Sequence, residues 1–300
     1  MAIDYNEKPC WRRCRILIAT ALSITDHAAD NINPENRMHP PAPADLIQHR
    51  VDDRGDAGCV AYLTVNNAAK RNTLGMPGKR AIADTFNLLA KNERIRVAVI
   101  TGAGDKSFIA GADIAEMKDL NAEQAEVEHT LTHVANESIQ TFPVPVIARI
   151  NGWCLGFGME LAAACDMRIG AETAKFGMPE VRVGIPSGME AVLLPALVGW
   201  GKAAELIYTG DIIDAQEAHR CGYLQKVVPA AELDAAVEKM VASVLLGGPH
   251  AIRLQKALIR DWQRMSLTDS VWQGIRACVA ARSTDEPKRM MEAFINRKRK

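Results

Sequence analysis

The stretch NGWCLGFGMELAAACD, Asn151 to Asp166, limits what this chain can fold into more than any other. Directly before it, PVPVIARI (Pro143 to Ile150) is a short apolar run punctuated by prolines, which reads as a buried strand rather than a helix. The strand delivers the chain into a turn where Gly152, Gly156 and Gly158 permit close backbone approach and positive φ. Glu160 then heads an alanine-rich segment, Leu161 to Cys165, that reads as a buried helix. Backbone N–H groups at a helix start have no partner within the helix, and the helix dipole adds positive potential there. The stretch therefore predicts an anion hole with a carboxylate beside it, suited to reactions in which negative charge grows on a carbonyl oxygen. The residues alone leave a second reading open, in which Glu160 only complements the dipole of a core helix.

Three other glycine motifs do not fit the spelling. A dinucleotide fingerprint fails because the third position is Leu161 after Gly156 and Gly158, and Ser107 after Gly102 and Gly104. A nucleophile elbow at Ser187 would need glycines where Ile185 and Met189 stand. No Walker-type phosphate loop occurs.

Three hundred residues with 48% apolar content can bury a large core. Lysine plus arginine equals aspartate plus glutamate at 36 each, so no global field recruits nucleic acid or a membrane surface. Seven scattered cysteines without a C-x-x-C pair indicate a reducing, cytoplasmic compartment and no structural zinc. Residues 1–44 differ from the rest: Arg12, Arg13 and Arg15 precede a short apolar run, Ile16 to Ile24, too short to cross a bilayer. We expect a poorly ordered extension there, with Met38 as the natural initiator.

From residue 45, LIQHRVD and GCVAYLTVN read as strands, NAAKRNTLGMPG as a loop, AIADTFNLLAKNE as a helix and RVAVITGAG as a buried strand. This order favours stacked β-β-α units over strict β-α alternation. KSFIAGADIAEM (Lys106 to Met117) is a second glycine turn entering a helix, with Gly111, Ala112 and Asp113 at the bend. Asp113 also fits the plainer role of an early-turn acid. His129 and His133, four apart on a helix, lack a third ligand and read as a polar helix face. KFGMPEVRVGIP carries Glu180, which is either a solvated loop residue or is brought to Glu160 by a strand returning past the turn.

KSFIAGADIAEM, NGWCLGFGMELAAACD and KFGMPEVRVGIP, in that order and spacing, resemble the crotonase family, the enoyl-CoA hydratase/isomerase superfamily. The likeness runs from the first strand to the C-terminal AFINRKRK. It implies an α/β fold: a spiral of β-β-α repeats over residues 45–229, and a helical oligomerisation region over 230–300 that builds homotrimers, often paired as hexamers. It implies acyl-CoA thioester substrates, with coenzyme A as part of the substrate and neither a separate cofactor nor a metal.

By motif position, the backbone N–H groups of Ala112 and Phe157 would form the oxyanion hole, Phe157 standing where many hydratases have glycine. Glu160 and Glu180 fall where the two catalytic glutamates of enoyl-CoA hydratases fall, Glu160 as base toward water and Glu180 as acid toward C2. Coenzyme A would be gripped around Lys70 and Arg71, and by Ala110, Gly111, Asp113, Ile114 and Gly156. Phe294 and Lys298 would approach a neighbouring subunit's adenosine. Retention of both glutamates favours hydratase over isomerase, while hydrolysis and decarboxylation could use the same hole. Ile185 to Ala191 (IPSGMEA) departs from the usual run and adds Glu190. An RNA-binding relative is the rival class, disfavoured by charge neutrality and by the absence of interleaved aromatics.

Overall fold

The computed structural model describes residues 46–297. The expected extension over 1–44, with the Met38 initiator, and the Lys298 assignment lie outside the described residues. In order, the elements are β1 (Ile47–Asp53), β2 (Cys59–Val65), α1 (Met76–Leu89), β3 (Ile95–Gly102), β4 (Ser107–Ile109), α2 (Ile114–Met117) and α3 (Ala122–Gln140). There follow β5 (Val146–Ile150), β6 (Trp153–Leu155), α4 (Phe157–Ala164), β7 (Met167–Ala171), β8 (Lys175–Gly177), α5 (Leu194–Thr209), β9 (Ile213–Asp214), α6 (Ala215–Arg220) and β10 (Lys226–Val228). Helices α7 (Leu233–Leu245), α8 (Pro249–Trp262), α9 (Leu267–Ala280) and α10 (Glu286–Arg297) complete the described chain.

Two sheets grow side by side. The larger has the order β1-β2-β3-β5-β7-β10 and the smaller β4-β6-β8-β9. β3 and β4, β5 and β6, and β7 and β8 are successive pairs, each placing one parallel strand in each sheet before the chain turns back. The result is a spiral of β-β-α turns, the architecture that the resemblance implies. The central strands are apolar almost throughout because both faces are covered; seven of the eight residues of β3 are buried. By contrast β1, at the edge, exposes most of IQHRVDD.

The main core lies between the sheets and helices α1 and α3, where Phe86 and Phe142 meet edge to face at 5.2 Å. A second cluster on the other face of the large sheet packs Val97, Val99 and Ile147 against Leu233, Val237 and Val241 of α7. Helix α1 begins at Met76, five residues before the expected start at Ala81. Pro77 sits in its first turn, where a missing N–H leaves no helical bond unmade, so the proline marks an entry rather than a loop. Helix α9 buries no residue, and Leu267, Val271, Trp272, Ile275 and Val279 are exposed along it.

Candidate active site

The organising stretch folds as a three-residue strand, a turn and a helix. β6 pairs in parallel with β8, and at the strand ends Gly156 N–H donates to the Gly177 carbonyl at 2.9 Å. This pairing resolves the two readings of Glu180. The chain leaving β8 enters a 3-10 turn, Pro179–Val183, which carries Glu180 back to the start of α4, where Glu160 stands in the first turn. Gly156 makes the approach possible: at φ +50° and ψ −119° it occupies backbone space closed to most side chains, and a Cβ there would lie 2.5 Å from Glu180 Oε1. Gly152 and Gly158 have ordinary φ and serve only close approach, since a Cβ on either would meet a backbone carbonyl oxygen at 2.1 Å.

Both carboxylates line one cavity of about 110 Å³ with Ala110, Gly111, Ala112, Gly156 and Phe157. That is somewhat smaller than the roughly 150 Å³ able to hold a benzene ring. Glu160 is 2% exposed, and its Oε1 accepts the Ala191 N–H at 3.1 Å. Burial first, then the charges of Glu180 and Glu190, push its carboxyl up to about 8, against the opposing pull of that N–H and of Lys79. Burial also raises Glu180, opposed by the Ser187 hydroxyl, which donates to Oε2 at 2.7 Å. Ser187, excluded as a nucleophile by sequence, is thus a carboxylate donor.

Ala112 and Phe157 line the same cavity. Phe157 is the first residue of α4, so no helical carbonyl lies within reach of its N–H. Ala112 forms a parallel bridge with Leu74, in which Leu74 N–H donates to the Gly111 carbonyl and Asp113 N–H to the Leu74 carbonyl. In that pattern Ala112's own N–H points away from Leu74. The Phe157 ring is itself buried beneath Lys79, whose Nζ lies 5.0 Å from the ring centroid.

The other expected residues divide. Ala110, Gly111 and Ile114 line the cavity, and Ala110 N–H is bound to the Arg71 carbonyl at 3.1 Å. Lys70 and Arg71 are exposed at the adjoining loop, Arg71 in left-handed backbone. Buried Asn72 pins that loop through donations to the carbonyls of Ala103 and Ser107. Asp113 caps α2 and accepts from Lys70 at 3.0 Å, so its carboxylate is occupied by protein. Lys70 and the N–H groups of Ala115 and Glu116 outweigh burial and hold this carboxyl below its ordinary value. Phe294 lies on α10, 60% exposed, and is not among the cavity-lining residues.

Glu190 does not line this cavity. It is buried, its carboxylate accepting from Asn136 at 2.8 Å and lying 2.7 Å from His133 Nδ1, which raises the imidazole above its ordinary value. Sequence reasoning missed a second polar group altogether. Lys79 from α1 and Glu128 from α3, 1% and 2% exposed, form an ion pair in the cavity wall with Thr132 and His129 alongside.

A two-sheet β-β-α spiral, with two carboxyls lining one pocket at the ends of its short strands, defines an enzyme of the crotonase fold. The sequence model for "Enoyl-CoA hydratase/isomerase" matches residues 55–300. A crotonyl-CoA hydratase of Syntrophomonas wolfei is 38% identical over 241 residues, covering 80% of this chain and 93% of the relative. A short-chain-enoyl-CoA hydratase of Clostridium acetobutylicum is 33% identical over 243 residues, 81% and 93% of the two chains. The crystal structure of an enoyl-CoA hydratase from Bacillus anthracis superimposes with a TM-score of 0.78 at 33% identity, over 83% of this chain and 96% of that one. The chain belongs to the enoyl-CoA hydratase/isomerase family.

Proposed function

We propose that this protein is an enoyl-CoA hydratase that adds water reversibly across the 2,3 double bond of a short 2-enoyl-CoA thioester. One observation supports the reading: buried Glu160 and half-buried Glu180 line a single small pocket together with Ala112 and Phe157, whose backbone N–H groups have no helical or bridge partner. The water oxygen bonds to C3, its proton passes to a carboxylate, and C2 takes a proton from the partner carboxyl. Between these events the charge rests on the thioester oxygen, held by the N–H groups of Ala112 and Phe157. An oxyanion hole of this kind is worth about 3 kcal/mol of barrier per donor.

The cycle needs one carboxylate and one carboxylic acid. Two coupled groups lose their protons in steps belonging to the pair, and the upward push on Glu160, mainly from burial, favours its protonated form. Glu160 acting as base toward water and Glu180 as acid toward C2 therefore requires that proton to pass to Glu180 when substrate binds. Coenzyme A enters with the substrate, and no separate cofactor or metal takes part. Its phosphates meet Lys70 and Arg71 at the exposed loop. The apolar stripe of α9 and the exposed Phe294 of α10 suit burial against further copies of the chain, in a trimer or a dimer of trimers. A cytoplasmic location fits the scattered free cysteines.

The test is loss of the conjugated-thioester absorbance with a panel of 2-enoyl-CoAs. Crotonyl-CoA and its C5 and C6 homologues should be hydrated. Absence of turnover across the panel would overturn the proposal.

A further inference from the structure

The run Ile185 to Ala191, IPSGMEA, touches both carboxyls of the pocket. Near its start the Ser187 hydroxyl donates to Glu180 Oε2 at 2.7 Å. At its end the Ala191 N–H donates to Glu160 Oε1 at 3.1 Å, and it also reaches the Gly188 carbonyl at 2.9 Å. Between these points Met189 takes left-handed backbone at φ +39°, a conformation that residues with a side chain rarely adopt unless their surroundings impose it. Glu190 anchors this turn to α3. Its buried carboxylate accepts from Asn136 at 2.8 Å and lies 2.7 Å from His133 Nδ1 and 3.5 Å from Gln140 Nε2.

Both residues act on charge as well as on position. A hydroxyl that donates to a carboxylate favours the ionised form, so Ser187 opposes the effect of burial on Glu180. A further carboxylate near Glu160 disfavours ionisation there, so Glu190 adds to the effect of burial. The two members of the pair are thereby pushed apart. Resting on the hydratase reading above, we propose that Ser187 and Glu190 are positioning residues, through which one short segment holds both catalytic carboxyls and fixes which of them keeps the proton in the free enzyme. Lys79, itself paired with Glu128, pulls Glu160 the other way. Of the other charged groups lining the cavity that Glu190 and His133 share, Lys256 pairs with Asp166 at 2.6 Å and Arg264 with Glu137 at 3.4 Å. Arg168 there binds the carbonyls of Tyr223 and Cys165, and Arg260 stands on α8. Substitutions at positions 187 and 190 leave all of these in place.

The experiment titrates the carboxyls by NMR in protein whose glutamates carry carbon-13 at Cδ, the two signals being assigned by their loss in Glu160→Gln and Glu180→Gln. Ser187→Ala should raise the Glu180 midpoint by about one pH unit, the worth of a hydrogen bond to a charged group. Ser187→Thr keeps the hydroxyl and should restore it. Glu190→Gln keeps an acceptor for Asn136 but not the charge, and should lower the Glu160 midpoint by about one pH unit. With crotonyl-CoA as substrate, the kcat/KM profile should narrow from opposite sides: Ser187→Ala moves the acid limb to higher pH, and Glu190→Gln moves the alkaline limb to lower pH. A residue that merely supports the fold would lower the whole profile and leave both limbs in place. Ser187 is half-buried, so its two variants test the assignment apart from the buried site of Glu190. A Glu180 midpoint unmoved by Ser187→Ala, or a Glu160 midpoint that does not fall in Glu190→Gln, overturns the proposal. The titration needs no substrate: a protein inert on every enoyl-CoA would lose the hydratase reading, and shifted midpoints would still assign control of the pair to Ser187 and Glu190.

Discussion

Glu160→Gln should make the protein more stable while removing its activity. The carboxyl titrates near its ordinary 4.5 once unfolded but is pushed up to about 8 in the fold. Below 4.5 both states are protonated and the group contributes nothing. Above it the unfolded chain releases a proton that the native state keeps, so stability falls by about 1.4 kcal/mol per pH unit until the native carboxyl ionises at about 8. At pH 7 the accumulated penalty is about 3 kcal/mol, an order-of-magnitude figure for a group only 2% exposed. Glutamine keeps the shape and an oxygen for the Ala191 N–H, and it does not titrate. Urea unfolding followed by circular dichroism from pH 5 to 8, at one fixed protein concentration, should show the variant pulling ahead as pH rises. Hydration should fall by about two to four orders of magnitude. Equal stability of the two proteins at pH 7, with no trend across the series, would refute the claim that this carboxyl is held protonated by its surroundings.

Glu180→Gln should lower hydration by about two to four orders of magnitude with the circular dichroism spectrum retained; near-normal turnover would remove Glu180 from the reaction. Because a singly protonated pair is required, kcat/KM should decline on the alkaline side near pH 8, where Glu160 ionises. Glu190→Gln removes one of the charges raising Glu160, so a stopped-flow pH profile should show that limb displaced to lower pH. Gly156→Ala forces a side chain into closed backbone space against Glu180, and should cost about 1–3 kcal/mol of stability in chemical denaturation. Replacing Val271 and Trp272 of α9 by glutamate and lysine should shift the sedimentation profile toward monomer; an unchanged profile would assign the stripe elsewhere.

The pattern of residues made part of this legible and hid the rest for physical reasons. Apolar runs such as β3 announce themselves because both faces of a parallel sheet are buried. The glycine turn before Glu160 was readable because few residues tolerate that backbone. Strands β4, β6 and β8 are three residues each, too short to carry a period, so they read as turns although they carry the chain into the pocket. Lys79 escaped notice because a lysine ordinarily marks the solvent side of a helix, and its partner lies 49 residues away on another helix. Glu190 was noticed only as an odd acid, since nothing local reveals that Asn136 and His133 hold it.

The spiral separates two kinds of change. The residues assigned to catalysis follow β4, β6 and β8, consecutive coils of one spring whose spacing is fixed by hydrogen bonds between their strands. The charged part of the cavity wall, Lys79 and Glu128, belongs to α1 and α3, which lie beside those coils. Such a molecule can vary the lining of its pocket at a few positions on the flanking helices while the carboxyls carried by the coils stay in register.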